Sequence, residues 1–121
     1  MRLTSDFWVA VLLRKVRTQN GFAYLARQGA TEAGAIFIRI YSKTSTAALY
    51  GPAPQMFYEN QDSGSERRFI SILSDVDEGQ IMERLEKELH FDSDIWIVEI
   101  ENFNRIKELI TIVDARMITF L

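Results

Sequence analysis

The stretch GAIFIRIYS, Gly34–Ser42, decides the class of fold. Ile36, Ile38 and Ile40 alternate with Phe37, Arg39 and Tyr41, and a repeat of two sends successive side chains to opposite faces of a sheet. Working outward, Lys43-Thr44-Ser45 reads as a turn and Thr46–Gly51 as a returning hairpin partner. Phe22–Gln28 is a strand before this pair, Arg67–Ser74 a fourth strand and Ile95–Glu101 a fifth.

Two helices frame these strands. Met1–Asn20 has Thr4, Ser5 and Asp6 as capping oxygens and Trp8, Leu12 and Val16 at spacing four, and Asn20-Gly21 ends it. Its run Phe7–Leu13, apolar almost all round, predicts a helix lying deep against the sheet. Asp77–His90 is the second: Asp77 and Gln80 fit a capping box, while Ile81, Met82, Leu85 and Leu89 form one apolar stripe. From Asn102 the signals divide. Ile106, Leu109, Ile110, Val113 and Met117 fit a helix face, the β-branched LITIV fits a strand, and helix is the favoured reading. The expectation is a single α+β domain over 1–121. It has a mainly antiparallel sheet of about five strands and two or three helices in the order α-β-β-β-β-α-β, followed by the C-terminal element, with the helices on one face.

Composition removes whole classes of function. The chain has no cysteine, which excludes disulfides, thiolate catalysis and cysteine-bound metal centres. Fourteen Lys and Arg against 17 Asp and Glu give a net charge of −3, which argues against a general grip on duplex DNA. The longest apolar run, Phe7–Leu13, follows Asp6 and is too short for a signal sequence or a membrane span. A cytoplasmic protein without membrane contact is expected.

Three blocks occur together: TSDFWV with LLRKV near the start, EAGAIFIRI leading through LYGPAPQ, and DIWIVEIE near the end. In these the chain resembles domain of unknown function 1491, a family of small alphaproteobacterial proteins. The likeness spans Met1–Glu101 as a family-like core and leaves 102–121 as a separate C-terminal element. It implies a stand-alone bacterial cytoplasmic protein. The family supplies no assigned activity and no catalytic residues to carry over.

Candidate sites are therefore weighed from chemistry alone. His90, the sole histidine, falls at the end of the second helix, four residues after Glu86, where the helix terminus and a carboxylate both favour its charged form. Asp92, Asp94, Glu99 and Glu101 could join it in an oxygen-rich metal site. The DSD run equally makes an ordinary helix-to-strand turn, which is the favoured reading, so no metal or cofactor is expected. Ser42, Ser45, Ser71 and Ser74 have only that one histidine as a base and no GxSxG elbow. GATEAG, Gly29–Gly34, lacks a phosphate-loop pattern, and its glycines are assigned to a turn and a bulge.

Two surfaces remain. Phe37, Arg39 and Tyr41, with Tyr50 and with Arg67 and Arg68, could form an aromatic and basic sheet face that stacks single-stranded RNA. A helix covering that face would bury Phe37 and Tyr41 as core instead, the favoured outcome. The run GPAPQMFYENQ places Pro52, Pro54, Gln55, Met56, Phe57 and Tyr58 where a protein partner could be held. The leading expectation is a non-enzymatic protein-binding or adaptor domain. A single-stranded RNA-binding module and a small-molecule or metal-dependent enzyme are the alternatives, and homodimer formation is left open.

Overall fold

A computed structural model describes residues 3–54 and 67–114. Its helices are α1, Ser5–Thr18, and α2, Glu78–Phe91; its strands are β1, Phe22–Arg27; β2, Ile36–Tyr41; β3, Ala47–Pro52; β4, Arg68–Val76; β5, Trp96–Glu101; and β6, Thr111–Ile112. The element order through β5 is the order expected, and the class is α+β. The six strands form one mixed sheet, β1-β5-β2-β3-β4-β6. The pairs β1/β5, β2/β3 and β3/β4 are antiparallel, whereas β5 runs parallel to β2 and β6 parallel to β4. The last strand to be completed before the tail thus enters the middle of the sheet.

The helices lie on opposite faces, not on one. Ile36, Ile38, Trp96, Val98 and Ile100 pack with Val9, Leu12 and Val16 of α1, while Phe37, Leu49, Ile95 and Ile97 pack with Ile81 and Leu85 of α2. The reason is that β2 and β5 are apolar on both faces, so each face needs its own cover. Each such side chain removed from water contributes about 1.5–3 kcal/mol.

Local chemistry fixes the ends. Asp77 caps α2 by accepting from the Gln80 N–H at 2.9 Å, a contact whose loss costs about 1 kcal/mol. In α1, Thr4 instead donates to Asp6 Oδ1, and the first free N–H groups are taken by carbonyls of the GATEAG loop: Ser5 donates to Glu32 and Asp6 to Thr31, each at 3.0 Å. The helix accordingly starts at Ser5, and Phe7 at its outer side is exposed, so the run Phe7–Leu13 is less deeply set than its composition predicts. A buried polar knot ties this end down. Ser5 Oγ donates to the Gly34 carbonyl at 2.7 Å and accepts from Arg67 Nη2 at 3.1 Å, and the same nitrogen donates to the Leu3 carbonyl at 3.0 Å.

Two sequence readings change. Gly29 and Gly34 serve close backbone approach: a Cβ on either would run into the Asp94 carbonyl, which also accepts from Ala30 N. The tail is not a helix over 102–114. A 3-10 turn, Ile106–Glu108, buries Ile106 and Ile110, and Thr111–Ile112 then pairs with Arg68–Phe69. Both signals in the sequence were real, one after the other. Among the described residues no helix is long and apolar enough to cross a membrane.

Candidate functional site

The two helices cover their faces unequally. On the α2 side the helix packs mainly over β3 and β4, whereas β1 stands at the far edge of the sheet. There Phe22 and Tyr24 are 59% and 41% exposed, with Ala23 between them turned into the α1 core. Cross-strand pairing sets Phe22 beside Glu101 and Tyr24 beside Glu99 on β5, and β5 in turn sets Glu99 beside Arg39 and Glu101 beside Tyr41 on β2. The result is an open shelf of rings and carboxylates, bounded toward the helix by Met82, itself 45% exposed.

One ion pair organises the shelf. Arg39 Nε and Nη2 both reach Glu99 Oε1, at 2.8 and 2.6 Å, and its Nη1 lies 3.5 Å from Met82 Sδ. The guanidinium carbon also stands 5.8 Å from the centre of the Tyr41 ring, within cation–π range. Beside this pair, the Tyr24 hydroxyl donates to Glu101 Oε2. That hydrogen bond pushes the Tyr24 hydroxyl well above the ordinary tyrosine range and holds the Glu101 carboxyl below the ordinary carboxylate range. Tyr41 is raised as well, chiefly by burial and against the pull of Arg39.

The six residues of the sequence-derived RNA face are not brought together. Phe37 is buried beneath α2, Arg39 is committed to Glu99, and Tyr41 is half-buried at the edge of the α2 core. Tyr50 pairs with Ile38 and packs on the α1 side, the opposite face. Arg67 is buried in the knot with Ser5, and Arg68 lies half-buried at the start of β4. Of the partner-loop residues, Pro52 is exposed at the end of β3 and Pro54 half-buried just beyond, while Gln55, Met56, Phe57 and Tyr58 lie outside the described residues. Pro52 borders a cleft of about 300 Å³ between α2 and β4, floored by Phe37, Ile70 and Ile72 and flanked by the Arg84–Glu88 ion pair.

The segment around His90 forms a turn. Asp92 Oδ1 accepts from Asp94 N at 2.9 Å, and the His90 ring stands edge-on to Phe91. Among the described residues, no three His, Asp or Glu side chains converge as metal ligands. The residues that sequence reasoning missed are Phe22 and Tyr24. Their signal was present in the pattern FAY, two large rings around a small residue, but nothing local says that this strand is an edge beyond the reach of the covering helix.

Three comparisons bear on what the chain is. The family model described as a protein of unknown function, DUF1491, matches residues 3–109. The chain is similar to protein Atu0922 from A. tumefaciens, whose solution structure shares 45% identity at a TM-score of 0.82, over 94% of this chain and 97% of that one. It is also similar to a DUF1491 family protein from Caulobacter crescentus CB15. The crystal structure shares 31% identity at a TM-score of 0.69, over 84% of this chain and 88% of that one. An NMR structure shares 30% at 0.70, over 86% and 89%. No curated protein matches. A family model that runs along most of the chain, and relatives this similar over most of their length, make this protein a member of the DUF1491 family.

Proposed function

We propose that this protein is a bacterial cytoplasmic protein-binding domain, without an enzymatic activity of its own, that meets its partner on the open shelf beside β1. The observation that carries this reading is the exposure of Phe22, Tyr24 and Met82 around one patch. Contiguous large apolar side chains left in water at an accessible edge are the usual mark of a contact surface. The electrostatics point the same way. Acid–base catalysis near neutrality uses groups poised near pH 7, yet Tyr24 is pushed upward and Glu101 downward, each away from that range. The RNA alternative loses its support with the division of its residues between two faces and the core.

The test is site-specific photocrosslinking in cells, with benzoylphenylalanine in place of Phe22 and, as a control, in place of the exposed Ala10 on α1. A discrete protein adduct formed from position 22 and not from position 10 is expected. Adduct formation with nucleic acid, or no adduct from position 22, overturns the proposal. An adduct of twice the chain mass identifies the partner as a second copy.

A further inference from the structure

The shelf contains an arrangement of three groups that occurs once complete and once with a member missing. In the complete instance the Arg39 guanidinium lies over the Tyr41 ring and binds the Glu99 carboxylate. One strand outward, Glu101 has the Phe22 ring as its cross-strand neighbour and the Tyr24 hydroxyl as its hydrogen-bond partner. Ring and carboxylate are both present there. Among the described residues no cation of this chain forms an ion pair with Glu101, which is bonded to the neutral Tyr24 hydroxyl and lies against the Glu99 carboxyl. Charge bookkeeping over the patch agrees, since Arg39 stands against Glu78, Glu99 and Glu101 around Tyr41.

Resting on the binding role proposed above, we infer that the partner presents a basic segment to this shelf, with an Arg or Lys side chain seated on the Phe22 and Tyr24 rings and bonded to Glu101. A guanidinium or ammonium there gains a ring face and a charge-assisted hydrogen bond at once. Its neighbouring apolar residues meet Met82 and the remaining ring surface. An anionic partner such as a nucleic acid backbone meets repulsion from the same carboxylates.

The probe is a displayed library of random dodecapeptides, panned on the intact immobilised protein and in parallel on its Phe22→Ser and Glu101→Gln variants. Glutamine keeps an acceptor for Tyr24, and a thermal melt of each variant establishes that it folds. Selected peptides are expected to be enriched in Arg and Lys beside apolar residues. A synthetic copy of the best one should bind about tenfold more weakly to Glu101→Gln, equivalent to about 1.4 kcal/mol, and should weaken with added salt. Peptides that require Phe22 but show no basic enrichment and ignore Glu101→Gln overturn the cationic partner while leaving the shelf as a binding surface. No selected peptides, or peptides indifferent to Phe22→Ser, overturn the shelf itself and this inference with it.

Discussion

The two faces of one sheet are covered to different extents. On the α1 face the cover is fuller, though Leu25 at its β1 margin stays exposed: Val9, Leu12 and Val16 meet the sheet, Trp8 packs against Phe69 with ring centres 5.3 Å apart, and Phe103, Ile106 and Ile110 extend the same core. Polar contacts lock it, through Ser5, Gly34 and Arg67 at one end and through Arg17 Nε donating to the Ala23 carbonyl at the other. On the α2 face the helix closes the centre and leaves the β1 margin to rings and charges. The larger share of the buried core lies on the first face, and the second keeps an exposed margin.

Paired substitutions at Phe69 and Phe22 test that division most severely. Phe69→Ala, at a ring 2% exposed, should lower unfolding free energy by about 3–5 kcal/mol. Phe22→Ala, at the open margin, should change it by less than about 0.5 kcal/mol. Chemical denaturation measures both, and equal losses would show that the β1 margin is core after all. Next in size is Arg39→Ala. The side chains of Arg39 and Glu99 are 16% and 13% exposed, between a surface pair and a fully buried one, so the loss should be about 1–3 kcal/mol. Double-mutant cycles with Glu99→Gln isolate the pair itself, and strict additivity would show that the two act independently.

The smallest effect is in pH dependence. The Tyr24 hydroxyl is raised in the folded chain, so its contribution is present below the ordinary tyrosine range near about 10 and is lost as pH rises through the folded value. Glu101 is lowered, so its contribution is present above about 4.3, the ordinary glutamate value, and is lost as pH falls through the folded value. Tyr24→Phe removes the first contribution and weakens the second, of which the contact with Glu99 remains. The melting temperature of wild type should therefore fall more steeply than that of the variant at the acidic and alkaline ends. Superimposable curves would show that the Tyr24–Glu101 contact contributes nothing to folding.

Much of the framework was legible because its signals are local. The Asp77 cap and the Ile81–Leu85 stripe place α2, and the alternation of GAIFIRIYS places β2, without reference to anything distant. What depended on distant partners was not legible. Tyr50 pairs with Ile38 because residues 42–46 form the hairpin connection; a loop one residue longer or shorter would have turned Tyr50 toward Phe37. The assignment of both helices to one face failed for the same reason, since sheet order is set by which strands meet, not by any one of them. The shelf was half visible: the sequence singles out Arg39 and Tyr41 for one surface, and Glu99 and Glu101 for a different site. Only the β5 insertion brings them together with Phe22 and Tyr24.

That insertion has a consequence for how the chain is made. During synthesis β1 leaves the ribosome early, yet its partner strand is not complete until Glu101 has been added, and β2 waits for the same strand on its other side. At about 5–20 residues per second, the hairpin neighbours β2, β3 and β4 can assemble while a vacant slot persists beside them. A nascent chain stalled before residue 96 therefore leaves unpaired the edges of β1 and β2 that the finished sheet closes with β5, and open edges of this kind invite wrong pairing.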